Sequence, residues 1–157
     1  GSDVPFILYG GTALAENRGE VISPLPDLPH RWVVLLCTST GLPGKTGLLY
    51  SRLSHKDFSQ GDNSRALVRD LEIGRLTIGH FHNAFDGAAH EIFPGIEDGR
   101  MVLLQQGGEA VHLSGSGPSL FSIFTDEAKA HRVVNAVRTK GFEAYVAETM
   151  ISKELRL

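Results

Sequence analysis

The sequence predicts an α+β sandwich, and three observations carry that reading. Residues 32–37 are a continuous apolar run with aromatic and β-branched members, the pattern of a buried strand. Asp126 stands ahead of Ala130, Val133, Val134 and Val137, which recur at helical spacing until Lys140-Gly141, so a capped amphipathic helix is predicted there. Residues 110–113, 119–124 and 142–149 read as strands, so the closing section runs strand–strand–helix–strand.

Taken in order, residues 6–9 and 12–16 read as short strands around Gly10-Gly11, with Asn17-Arg18-Gly19 as a turn. Pro24, Pro26 and Pro29 forbid a regular helix or a central strand, so residues 23–29 are expected to be an extended connector. Beyond the strand at 32–37 the pattern turns helical, with Leu48, Leu49 and Leu53, then Leu67, Val68 and Leu71, at helical spacings. Gly61-Asp62-Asn63-Ser64 supplies a helix cap ahead of Arg65. Residues 96–106 predict another helix, closed by Gly107-Gly108.

Composition narrows the function classes. At 157 residues and 41% hydrophobic, the chain can bury a substantial core. Its 15 basic and 18 acidic residues leave a net charge of −3, which argues against a nucleic-acid surface. No apolar run approaches the roughly 20 residues that span a bilayer, so no membrane partner is expected. The single cysteine, Cys37, excludes an internal disulfide and is expected as a buried thiol, which fits a cytoplasmic location. His80 and His82 flank Phe81, but no cysteine or acidic residue joins them at a zinc-like spacing, and no metal is assigned to the histidines.

The richest stretch is Leu113-Ser114-Gly115-Ser116-Gly117-Pro118-Ser119. Glycine lets backbone N–H groups approach an anion closely, and Pro118 stiffens the exit. Alone, the run is equally a glycine-rich connection between two strands. It has neither the ending of a Walker A loop nor the spacing of a dinucleotide fingerprint.

Further segments join it: Gly1-Ser2-Asp3-Val4-Pro5-Phe6, then Gly10-Gly11-Thr12-Ala13-Leu14-Ala15-Glu16 through Gly19-Glu20, and the apolar run from Trp32 to Leu36. Thr46 to Tyr50, Asn83-Ala84-Phe85 and Ile92-Phe93-Pro94 follow. Together, in this order and over nearly the whole chain, they resemble the GHMP small-molecule kinases. Members of that family are about twice as long, and their first half carries a Pro-x-x-x-Gly-Leu-Gly-Gly-Ser-Ser loop that cradles ATP. These residues contain no such loop. The resemblance therefore implies a C-terminal portion. Residues 1–29 would end the N-terminal kinase domain with the aspartate motif and a strand pair. Residues 30–157 would form a ferredoxin-like C-terminal domain.

The activity implied is ATP-dependent phosphorylation of the 2-hydroxyl of 4-diphosphocytidyl-2-C-methyl-D-erythritol, in non-mevalonate isoprenoid biosynthesis. ATP and Mg2+ would act through the parent enzyme, whose N-terminal half is the implied partner, and the isolated chain is expected to be inactive. Asp3 is the implied base on the hydroxyl, restrained by Val4-Pro5; read alone it is a polar residue near a terminus. Ser114 and Ser116 would donate to phosphate oxygens in the third family motif, with Gly115 and Gly117 as conformational necessities. Tyr50 is implied to stack on cytosine and Thr46 to line the substrate site; a core aromatic is the other reading of Tyr50. Lys45 is expected to be a solvated loop lysine, and Asn83 to be structural. Two alternatives remain: a GHMP kinase for another small alcohol, and a ferredoxin-like binding module without catalysis.

Overall fold

In the computed structural model, which describes residues 3–38 and 43–151, the chain begins α1 (Val4–Tyr9), β1 (Ala13–Glu16), β2 (Val21–Pro24) and β3 (Trp32–Cys37). It continues α2 (Lys45–Arg52), α3 (Asp62–Glu72), a 3-10 turn (Ile78–His80), α4 (Asp86–Ile92) and α5 (Ile96–Gln105). It closes β4 (His112–Leu113), β5 (Leu120–Phe124), α6 (Glu127–Thr139) and β6 (Glu143–Glu148). These elements fall into two compact units. One comprises Gly1–His30, Gly61–Phe81 and Thr149–Leu157, the other Arg31–Gln60 and His82–Glu148.

In the first unit, the stretch expected as a strand at residues 6–9 is helical. Pro5 lies in the first turn of α1, where its fixed φ suits a helix and its missing N–H costs nothing. Gly10, at φ 74°, ends the helix by donating its N–H to the Phe6 carbonyl at 2.8 Å. No residue of α1 is buried, so its apolar run carries no inside–outside period to mark it as a helix.

β1 and β2 form an antiparallel pair in which Ala13 faces Pro24 and Glu16 faces Val21. Both strands are edges, which is where a proline such as Pro24 is tolerated. Thr12 anchors the proline connector, its carbonyl accepting from Leu25 N–H at 2.9 Å and its Oγ1 from Leu28 N–H at 3.0 Å. Helix α3 starts at Asp62, three residues ahead of the expected Arg65, because left-handed Gly61 is itself the N-cap. At its other end the buried Asp70 accepts from Arg75 Nε at 3.0 Å and from Arg75 Nη2. A Thr77 hydrogen bond, then Arg75, holds the Asp70 carboxyl below the usual range. One carboxylate thus folds the return from α3 back onto the helix end.

The second unit holds a four-stranded antiparallel sheet in the order β4-β5-β3-β6. Counted within this unit, that is the strand order of a ferredoxin-like sandwich, reached here with more than two helices. Strand period decides which side is core. Val34 and Leu36 are fully buried, as are Leu120 and Ser122 beside them on β5, while Val33 and Leu35 are half-buried on the opposite face. Helix α6 covers the core face with Ala130, Val133, Val134 and Val137, as its spacing predicts, and Asp126 caps it by accepting from Lys129 N–H. Phe93, Ile96, Leu103 and Leu49 bring α4, α5 and α2 into the same core. The mixed fold and the strands at 32–37, 120–124 and 143–148 stand as expected. Helix α4 was not anticipated as a separate element, being short and bounded by no strong cap.

Candidate functional site

The glycine loop, residues 114–119, joins β4 to β5, whose register pairs Leu113 with Leu120. Ser114 N–H donates to the Ser119 carbonyl at 2.9 Å, and Gly117 N–H to the Ser114 carbonyl at 2.8 Å. Gly115 and Gly117 take φ of 54° and 64°, the left-handed region open to glycine. A Cβ on Gly117 would lie 2.8 Å from Leu113 Cδ1 and 3.2 Å from Phe93 Cε2, so the loop backbone rests directly on the core.

Side chains from elsewhere hold further carbonyls at the loop. Asn83 Nδ2 donates to the carbonyls of Leu113 at 3.1 Å and Gly115 at 2.8 Å. Thr38 Oγ1 donates to Pro118 at 3.0 Å, and Lys45 Nζ donates to Gly117. The N–H groups of Gly115 and Ser116 donate to no acceptor among the described residues. Most loop oxygens are thus bonded within the protein, while two adjacent amides, in an exposed-to-half-buried stretch, have no acceptor among the described residues. That is the electrostatics of an anion-binding nest. Lys45 adds an ammonium beside it. The expectation that Lys45 is a solvated loop lysine is corrected: it is half-buried at the start of α2 and hydrogen-bonded to the loop.

Thr46 and Tyr50 lie one turn apart on α2, so they share a face. Leu49, fully buried, anchors the other side of this helix in the core. Tyr50 is 61% exposed and meets Phe85 edge-on, with ring centroids 5.0 Å apart. It is therefore no core aromatic.

Asp3 belongs to the first unit. It is exposed, stands at the N-cap of α1 at φ −83°, and accepts Ile7 N–H through its carbonyl at 3.0 Å. Its carboxylate makes no capping hydrogen bond.

Several supporting residues were invisible to sequence reasoning. Arg100 donates to the Val111 carbonyl at 2.6 Å and pairs with Asp86 at 3.2 Å and Glu97 at 3.3 Å, bracing the entry to β4. A hydrogen bond from His90, ahead of Arg100, holds Glu97 below the usual carboxylate range. His112 is a half-buried residue of β4, and that burial pushes its imidazole down. Cys37 is half-buried instead of buried, lining a cavity of about 290 Å³ with Thr38, Pro94, Asp98, Phe142 and Glu143. Among the described residues no group of three or more His, Cys, Asp or Glu side chains is placed to hold a metal, and no helix is long and apolar enough to cross a membrane.

Comparison with known proteins agrees with the topology. The family model described as "GHMP kinases C terminal" matches residues 72–143. A protein of Dehalococcoides mccartyi named 4-diphosphocytidyl-2-C-methyl-D-erythritol kinase is 38% identical over 151 residues, covering 96% of this chain and 53% of the relative. A Listeria welshimeri protein of the same name is 31% identical over 156 residues, covering 98% and 53%. The crystal structure of a 4-(cytidine 5'-diphospho)-2C-methyl-D-erythritol kinase superimposes with a TM-score of 0.78 at 29% identity, over 94% of this chain and 53% of that one. A homoserine kinase from Cytophaga hutchinsonii, at 20% identity and TM-score 0.69, shares the fold. The chain spans about half the length of the curated relatives it matches. Motifs, strand order and relatives converge: this chain carries a GHMP kinase C-terminal domain.

Proposed function

We propose that this chain is the C-terminal half of an ATP-dependent kinase that phosphorylates the 2-hydroxyl of 4-diphosphocytidyl-2-C-methyl-D-erythritol. Carrying the reading is the likeness to relatives of that name along 96% of the chain, which takes in the glycine loop. Residues 1–29 would then end the N-terminal domain and residues 30–157 form the C-terminal one.

Phosphoryl transfer asks little covalent chemistry of a protein; it asks for position and for neutralisation of the transferred group. The open amides of Gly115 and Ser116, the hydroxyls of Ser114 and Ser116 and the Lys45 ammonium fit phosphate oxygens. Asp3 would accept the hydroxyl proton, and Tyr50 with Thr46 would receive the cytidyl end. Mg2+ in such reactions is held by one or two carboxylates together with phosphates, so it would arrive with the nucleotide and needs no cage in this chain. A cytoplasmic location belongs to the same proposal.

The test joins the N-terminal half of the Dehalococcoides mccartyi relative ahead of this chain and compares the chimera with the chain alone. With Mg-ATP and the cytidyl substrate, the chimera should produce ADP, and the chain alone should produce none above background. A folded chimera that accepts a different small alcohol, and not the cytidyl substrate, would move the reading to another GHMP kinase.

A further inference from the structure

Asn83 was expected to be structural, and part of its bonding has that character. Its Oδ1 accepts Phe85 N–H at 3.0 Å and its carbonyl accepts Asp86 N–H at 3.1 Å, an arrangement that turns the chain into α4. The other end of the same amide does something else. Its Nδ2 reaches 30 and 32 residues along the chain to the carbonyls of Leu113 and Gly115, which bracket the first turn of the glycine loop. Two acceptors on one side and a donor on the other leave only one orientation of the amide that satisfies all three partners.

The bracketing has a consequence for charge. Left unheld, the Gly115 peptide is free to rotate about its soft glycine dihedrals. Rotation would swing the Gly115 carbonyl oxygen to the side where the Ser116 N–H, in the same peptide unit, now points. A lone-pair oxygen would then face an incoming anion in place of a donor. Gly117 and Pro118 are held by Lys45 and Thr38, but no other side chain among the described residues holds the Gly115 carbonyl.

We infer that Asn83 is the positioning residue of the phosphate loop: its two side-chain hydrogen bonds fix the Gly115 peptide with its oxygen inward and the neighbouring amides outward. This deepens the reading proposed above, and depends on it only for the identity of the ligand.

The substitutions that test it are Asn83→Asp and Asn83→Ala. Aspartate keeps the acceptor for Phe85 N–H and the turn into α4, but has no donor for the loop. Alanine loses both functions and adds no charge. The measurements, by NMR on the 157-residue chain, are amide hydrogen exchange at Ser114, Gly117 and the amides of α4, and inorganic pyrophosphate titration read at Gly115 and Ser116.

In both variants, exchange at the hydrogen-bonded loop amides of Ser114 and Gly117 should quicken by roughly 5–30-fold, the factor that two ordinary hydrogen bonds represent. Pyrophosphate binding at the Gly115 and Ser116 amides should weaken by a similar factor, while α4 exchange stays normal in Asn83→Asp. A purely structural turn residue predicts the opposite, with Asn83→Asp like the parent chain at the loop. That result would overturn the inference, and so would unchanged pyrophosphate binding in both variants, which would leave the phosphate reading intact. If the parent chain shows no pyrophosphate shift at the loop but both variants speed its exchange, the positioning role stands and the phosphate reading fails. Should Asn83→Ala not fold, Asn83→Asp decides alone.

Discussion

Placing a single methyl group at either of two glycines of the loop separates backbone conformation from packing. Gly115 and Gly117 both sit at positive φ, 54° and 64°, so alanine at either one adopts a left-handed conformation that costs about 1–2 kcal/mol. Around Gly115 a Cβ would meet no atom within 4 Å. At Gly117 it would lie 2.8 Å from Leu113 Cδ1 and 3.2 Å from Phe93 Cε2. Those side chains are 3% and 1% exposed, so neither can swing into solvent to make room. Forcing a methyl into a packed core typically costs roughly 1–3 kcal/mol more. Gly115→Ala should therefore lose about 1–2 kcal/mol and Gly117→Ala about 2–5 kcal/mol. The assay is urea unfolding followed by the fluorescence of Trp32, the single tryptophan, which lies on β3 in the same unit. Slopes with urea should match across the variants, so that midpoints report stability alone. Equal losses at the two sites, or the larger loss at Gly115, would refute the packing argument.

Three further outcomes are expected. In the kinase chimera, Asp3→Asn should lower turnover by about 10²–10⁴-fold with substrate affinity little changed, because the amide keeps the shape but cannot take the proton; near-normal turnover removes Asp3 as the base. Tyr50→Ala should weaken cytidyl-substrate binding by about 1–3 kcal/mol while Tyr50→Phe is nearly neutral, and since Tyr50 is 61% exposed, the melting temperature should hardly move; equal loss of ATP and cytidyl affinity would sink the stacking role. The third concerns pH. Burial depresses the His112 pKa, reinforced by Arg100 and opposed by Asp86, so on acidification the unfolded chain takes the proton before the folded one. The stability from this group is complete above the unfolded value of about 6.5 and is lost as pH falls through the lower folded value. The urea midpoint at Trp32 should therefore drop as pH falls below about 7, and His112→Gln should reduce that drop. An identical drop in the variant would assign the effect to other groups.

Elements whose signals are local could be read from the chain itself. Helix α6 announces its cap at Asp126 and its buried face at Ala130, Val133, Val134 and Val137, all within a few turns of one another. Strand β3 likewise declares itself as an apolar run. Helix α1 does not, because a short apolar segment with no buried face offers no period from which to distinguish helix from strand. The loop motif and Tyr50 could be named as candidates from residue type and spacing. What held the loop could not. Asn83 reaches it across 30 and 32 residues, Lys45 across 72 and Thr38 across 80. Sequence period tells which face of an element turns inward, but which carbonyl a side chain meets depends on the sheet closing in the order β4-β5-β3-β6. Only that closure sets Thr38, beyond the end of β3, beside the loop that enters β5, and so ties a glycine-rich turn to a distant strand.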